Sequence, residues 1–356
     1  MKLVSEGKAK IRVPSESLTK RSEAFYNPGM EHQRDVTVAC LRVLKPEEVL
    51  DPLAATGVRG IRILLEVPGV RKVVFNDINP KAVKLIKKNL GLNKIKKSRY
   101  DLRNDDANSL FLEKRKYDFV DIDPFGSPIR YLRNVGFALR KNSILGVTAT
   151  DSGALSGKFA KACFRRYGVF AGRTDFAKEF GVRVLITSIL QNLAVHNMTF
   201  EPLYSHANHY FRIVGKVKYG PDENLSKIRM VSYCPNCHGK KTGLETKCEN
   251  CGSKAKILGP LWTGKIQDRG FAKKMLQKFD FEGKKEIMIC SEEIDSPFYY
   301  NLHYISKSMK TSAPKVERVI SSLQELGFKA SRTHLCARGV KTDAGIKEIV
   351  NVIKNS

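Results

Sequence analysis

The 356-residue sequence contains no apolar run near the roughly 18 residues that a membrane-spanning helix needs, so nothing in it is expected to cross a bilayer. Its first residues, Met1-Lys2-Leu3-Val4-Ser5-Glu6-Gly7, lack the apolar core of a signal peptide, and a cytoplasmic protein is expected. Acidic residues are scarce: 36 Asp and Glu stand against 63 Lys and Arg, a net charge of +27. A surplus of that size points to a polyanionic partner, most often nucleic acid, with a generally basic background as the plain alternative. The lysines are spread along the chain, which fits a broad electrostatic surface better than a disordered basic arm. Nothing in the sequence calls for an obligate protein partner.

A disulfide framework is also missing. Of eight cysteines, four form two Cys-x-x-Cys pairs, and Cys40, Cys163, Cys290 and Cys336 are scattered. That pattern favours a metal site with inert core thiols. Cys234-Pro235-Asn236-Cys237 and Cys248-Glu249-Asn250-Cys251 are ten residues apart, shorter than the roughly 15–20 of common zinc patterns but enough for a compact hairpin. Cys234, Cys237, Cys248 and Cys251 are the expected ligands of one tetrahedral zinc, with vestigial or redox-active thiols as the alternative. Four protein thiolates leave no open position, so the expected role is structural.

Strands and helices alternate through the first 220 residues. A short strand is expected within Lys8–Pro14, and a helix from Gln33 that Pro46 stops. A strand then ends at Asp51, and a helix opens near Gly57 to Gly60. Further strands are expected at Lys72–Asp77, Tyr117–Ile122 and Ser143–Asp151, with the turn after another at Asn104–Asn108 and a long helix around Val182 to Val195. Phe200–Tyr204 and Tyr210–Val217 close the pattern as a hairpin. This describes an α/β fold, a Rossmann-like, mostly parallel sheet with an antiparallel edge strand. A smaller α+β domain with the cysteine pairs follows, and the boundary is set near Gly220: residues 1–220 and 221–356. In the second part, Leu302, Ile305 and Met309 share one helical face, and Val316, Val319, Ile320, Leu323 and Leu326 form a second stripe before Gly327. Helix, turn, helix and strand with many lysines suggest a winged-helix-like binding element.

The chemistry converges on Tyr117–Gly126, a strand that ends in Asp123-Pro124-Phe125-Gly126. A buried strand delivering a carboxylate, a rigid proline and a ring to its C-terminal edge can hold a flat, amine-bearing base. The plain alternative is an Asp-Pro turn with Phe125 folded into the core. Asp77 lies 20 residues after Gly57, the distance at which an acidic side chain reaches a ribose hydroxyl pair. A full Gly-x-Gly-x-x-Gly is absent, so a dinucleotide dehydrogenase is poorly supported. The tetrapeptide instead resembles the Asp/Asn-Pro-Pro-aromatic motif of S-adenosylmethionine-dependent methyltransferases that act on exocyclic base amines. Such an amine is a poor nucleophile because its lone pair is delocalised into the ring. A carboxylate and a backbone carbonyl accepting its N–H bonds would orient it and favour sp³ character.

As a set, Phe25-Tyr26-Asn27-Pro28, Arg34-Asp35, Ala55–Arg62, Asn76-Asp77-Ile78, Asp105–Asn108, Asp123–Pro128 and Gly146–Asp151 resemble the tRNA (guanine-N2)-dimethyltransferase family, which modifies guanine 26. The cysteine pairs and Gly339–Ala344 resemble its archaeal-type members. The resemblance implies a class I methyltransferase domain with a C-terminal tRNA-binding domain, S-adenosylmethionine as methyl donor and tRNA as partner. It implies that Arg34, Arg59, Asp77, Asp106 and Ala107 hold the cofactor. Asp77 would take the ribose hydroxyls, Asp106 and the Ala107 backbone the adenine, and the arginines would sit near the methionine end or brace the site. Asp123, Pro124 and Phe125 would bind the target amine, with Phe25 on the other side of the base. A salt bridge or helix cap is the plain reading of each charged residue. Two other functions stay open: an amino-methyltransferase acting on ribosomal RNA or DNA, and a non-catalytic zinc-ribbon protein that binds nucleic acid.

Overall fold

The structure is a computed structural model that describes residues 1–15, 24–278 and 283–355. The chain opens with an antiparallel hairpin, β1 (Lys2–Glu6) and β2 (Ala9–Val13), one strand more than the sequence led us to expect. Helix α1 (Glu31–Leu44) leads into β3 (Glu48–Asp51), α2 (Val58–Glu66), β4 (Lys72–Asn76), α3 (Pro80–Leu92), β5 (Tyr100–Arg103), α4 (Ala107–Leu112) and β6 (Phe119–Ile122). Next come α5 (Ile129–Val135), β7 (Ile144–Ala149), α6 (Ser152–Leu155), α7 (Ala160–Tyr167), α8 (Ala177–Ala194), β8 (Met198–Ala207) and β9 (Phe211–Tyr219).

These strands form one sheet in the order β5-β4-β3-β6-β7-β9-β8. Strands β3 to β7 are parallel, and β9 alone is reversed against both neighbours. The short turn after Ala207 forces β9 beside β8, so the reversed strand lies one in from the edge and β8 is outermost. Strands β6 and β7 are buried along their whole length, as expected of parallel strands covered on both faces.

Helix α8 starts earlier than its apolar periodicity implies. Its first turn carries Glu179, a fully buried carboxylate that accepts from Arg183 Nη2 at 2.6 Å and from the Phe298 and Tyr299 amides at 2.8 and 2.9 Å. A buried charge satisfied from distant segments has no periodic signature in sequence.

The second half adds α9 (Asp222–Leu225), β10 (Ile228–Tyr233), β11 (Lys240–Thr242) and β12 (Lys256–Trp262), then α10 (Arg269–Lys278) and α11 (Lys284–Glu292). It ends with β13 (Tyr300–Asn301), α12 (Leu302–Ser308), α13 (Val316–Glu325), β14 (Ala330–Thr333), β15 (Cys336–Thr342) and α14 (Ile346–Lys354). Strands β11-β10-β12 form one antiparallel sheet and β13-β15-β14 another. The second, with α12 and α13, reproduces the helix-turn-helix-strand pattern; Val316, Val319 and Leu323 are buried in it, whereas Leu326 is exposed. The apolar core on the α8 face of the main sheet continues without a break into Val231, Tyr233, Leu258, Leu261 and Trp262.

Candidate active site

Each turn at the C-terminal edge of the main sheet is built by a local device. After β3 the chain turns through Gly57, whose φ of 78° lies in the left-handed region that glycine tolerates. Gly60 is required for packing: a Cβ there would stand 2.2 Å from Phe75 Cε1 on β4. Asn76 staples the turns together, its amide donating to the carbonyls of Pro52 at 3.0 Å and Asp105 at 2.9 Å. Asp77 accepts from the Ala55 amide through Oδ2 and the Asn79 amide through Oδ1, both at 2.9 Å. Burial raises its pKa, and the two amides oppose the rise. Asp106 caps α4, accepting from the Asn108 amide at 2.8 Å, and puts Ala107 in the first turn of that helix. The half-buried carboxylates of Asp77 and Asp106 therefore stand at the ends of β4 and β5.

The Asp123–Gly126 turn is pinned to the end of β7. The Gly126 amide donates to Thr150 Oγ1 at 2.7 Å, and Gly126 O accepts from the Thr150 amide at 2.9 Å. Phe125 does not fold into the core; it is 52% exposed, and its ring meets Phe25 edge-on with centroids 4.6 Å apart.

Beneath the turn lies a buried polar network. Arg59, on α2, donates to Asp123 Oδ2 and pairs with Asp121 Oδ2 at 2.5 Å. It also donates to Thr37 Oγ1 at 3.1 Å and Gln33 Oε1 at 2.8 Å. Arg212, on β9, grips the other oxygen of Asp121 at 2.8 Å, with Thr37 Oγ1 at 2.9 Å and Thr148 Oγ1 at 2.7 Å. Arg34 faces elsewhere. Its guanidinium pairs with both Glu6 oxygens at 2.6 Å and donates to the Asn27 carbonyl at 3.1 Å, bracing the segment that carries Phe25.

Sequence reasoning missed Asp51, Asp121 and Arg212. Asp51 ends β3 fully buried, and among the described residues its Oδ2 has no hydrogen-bond partner. Burial pushes its pKa up to about 7; Arg59 opposes this, while Asp121, Asp123 and Asp77 reinforce it. A strand-end carboxylate was visible in the sequence at 51, and Asp121 lies inside β6, but the arginine facing each comes from another element.

The four cysteines converge. Cys234 and Cys251 Sγ lie 3.5 Å apart, as do Cys237 and Cys248, and all four lie within 4.8 Å of one another. A tetrahedron with Zn–S bonds of about 2.3 Å has edges of about 3.8 Å, so the donor set fits zinc.

A sheet in this strand order, with acidic turns at its C-terminal edge and an Asp-Pro-Phe-Gly turn after its fourth parallel strand, defines a class I methyltransferase. The particular family follows from comparison: the family described as N2,N2-dimethylguanosine tRNA methyltransferase matches residues 7–354, and this chain belongs to it. Among its relatives is the tRNA (guanine(26)-N(2))-dimethyltransferase of Methanosphaera stadtmanae, 35% identical over 99% of this chain and 96% of that protein. The enzyme of the same name from Pyrococcus abyssi is 37% identical over 99% of this chain and 98% of that one. The structure of Trm1 from Pyrococcus horikoshii in complex with S-adenosyl-L-methionine superposes with a TM-score of 0.89 at 33% identity, covering 99% of this chain and all of that one. No described helix is long and apolar enough to cross a membrane.

Proposed function

We propose that this protein transfers one or two methyl groups from S-adenosylmethionine to the exocyclic amine of guanine 26 in tRNA. The observation that carries the reading is the Asp123 carboxylate, held by Arg59 at the end of a buried strand beside Phe25 and Phe125, in a chain matched along its length to this family. The orphaned, buried Asp51 oxygen beside the Asp77 and Asp106 turns supports a cationic, ribose-bearing ligand there.

When bound, S-adenosylmethionine supplies an electrophilic sulfonium methyl. Asp77 would accept from its ribose hydroxyls, and Asp106 and the Ala107 amide would take the adenine. Arg59 acts through Asp123 and Asp121, and Arg34 through the segment that carries Phe25. Asp123 and the Pro124 carbonyl would accept the N–H bonds of the target amine, turning its lone pair out of conjugation. Asp123 would receive the proton that the amine gives up. After one methylation a single N–H remains, and one of the two acceptors is enough to orient the second transfer. A flipped guanine loses its stacking in the RNA, which Phe25 and Phe125 would restore.

In this reading residues 1–220 carry out the transfer, and residues 221–356, with a structural zinc on Cys234, Cys237, Cys248 and Cys251, grip the tRNA. The surplus of 27 positive charges supplies attraction to the phosphates. Labelled S-adenosylmethionine with unmodified tRNA, followed by nucleoside analysis, tests the reading. Label in N2-methylguanosine and N2,N2-dimethylguanosine at position 26 is expected, and its absence overturns the proposal. Mapping position 27 as well is worthwhile, because an Aquifex aeolicus relative 33% identical to this chain is named for both guanines.

A further inference from the structure

A cavity of about 980 Å³ opens between the Pro28-Gly29 turn, the β8–β9 turn and α11, and among the described residues its lining does not include Asp77, Asp106 or Asp123. On its wall three side chains from distant parts of the chain meet: His32 on α1, His206 on β8 and Glu286 on α11. His206 Nδ1 lies 2.9 and 3.1 Å from the two Glu286 oxygens, and His32 Nε2 lies 3.3 Å from Glu286 Oε2. One ligand atom from each residue lies within 4.8 Å of the other two.

We propose that His32, His206 and Glu286 form a second metal site, for a divalent first-row transition ion, distinct from the four-cysteine cluster. Bonds of about 2.0–2.2 Å from zinc to nitrogen and oxygen put neighbouring ligands of a tetrahedron about 3.4 Å apart; the separations of 2.9–3.3 Å from Glu286 fall just short of that edge, so a small outward shift of the side chains admits the ion. Two imidazoles and one carboxylate with a remaining open position is the donor set of exchangeable zinc and iron(II) centres. The ligands are oriented from behind. Tyr204 Oη donates to Glu286 Oε1 at 2.5 Å, and the Tyr210 ring packs on His206 with centroids 4.8 Å apart. An ion pair alone explains less: one imidazolium balances one carboxylate, whereas a metal uses both imidazoles.

The three ligands tie the N-terminal helix, the outermost strand of the main sheet and the second half of the chain to one point. The open position faces the cavity, where water or a phosphodiester oxygen can complete the coordination. Tyr210, which packs on His206, also borders this cavity.

The test is elemental analysis and native mass spectrometry of untagged, full-length protein prepared without chelators, followed by cobalt substitution. Two equivalents of metal per chain are expected. His206→Ala is expected to lose one of them, and Cys248→Ser with Cys251→Ser the other. Cobalt at the cysteines gives thiolate charge-transfer bands; cobalt at the histidines gives d–d absorption that survives the cysteine substitutions. Absence of any thiolate-free cobalt signal in the unaltered protein overturns the site, even if His206→Ala does not fold. Metal content unchanged in a folded His206→Ala or His32→Ala variant overturns it as well.

Discussion

Arg59 and Asp123 form the central ion pair of the site: a guanidinium on α2 holds a carboxylate at the end of β6, while its Nε pairs with Asp121 two residues earlier on the same strand. One planar cation thus fixes both acidic residues, the outer one partly exposed to solvent. A lysine cannot reproduce this, because an ammonium is a point donor without the fork. Arg59→Lys is expected to lower methyl transfer on the order of 10²-fold, the scale of a misplaced reacting group, with little change in S-adenosylmethionine affinity. Single-turnover kinetics beside calorimetric titration will check it. A large loss of cofactor affinity would instead make Arg59 a direct ligand.

Asp123 itself is expected to be indispensable. Asp123→Ala would remove the proposed acceptor for the amine, and Asp123→Asn would replace part of it with a donor that repels the N–H bonds. Both should retain cofactor binding, because Asp123 is at most a neighbour of the Asp77 and Asp106 turns. Transfer persisting at more than a few per cent in either variant would remove Asp123 from its role.

Asp51 is expected to give S-adenosylmethionine binding a pH dependence. Its pKa of about 7 means that its buried carboxyl is partly protonated at neutral pH, burial being the main cause. A cation-bearing ligand favours the ionised form and so binds more tightly as pH rises through about 7. Affinity for S-adenosylmethionine is expected to rise across that range and level off above it. In Asp51→Asn the dependence should flatten and the affinity stay low; an unchanged profile in that variant would assign the titration to another group.

Gly146 on β7 guards the same network. A Cβ there would lie 2.4 Å from Asp121 Oδ1 and 3.0 Å from Arg212 Nη2. Overpacking against well-fitted atoms costs about 1–3 kcal/mol. Gly146→Ala should lower the denaturation midpoint and impair transfer together. A variant as stable as the parent would show that the network yields easily.

The cysteine cluster predicts that Cys248→Ser with Cys251→Ser loses the thiolate-bound zinc and loosens the β10–β12 sheet, because the ligands close its turns. Zinc content and thermal unfolding measure both effects. Unchanged stability without metal would leave the ion without a structural role.

The sequence determined the alternation of strands and helices that builds the main sheet, because parallel strands buried on both faces and helices with apolar faces leave local, periodic signatures. It also marked Asp77, Asp106 and the Asp123–Gly126 turn, since a carboxylate or proline ending a strand can be read from its neighbours alone. The cysteine pairs were equally plain, their spacing being short. The partners of those residues belonged to the tertiary structure. Arg59 reaches Asp121 and Asp123 across more than 60 residues of chain, and Arg212 reaches Asp121 across 91. Arg34 meets Glu6, and His32 meets His206 and Glu286, only after the sheet, the N-terminal hairpin and the second half have packed. Local pattern records which face a side chain takes; which charge it meets there depends on contacts between segments that the pattern does not contain.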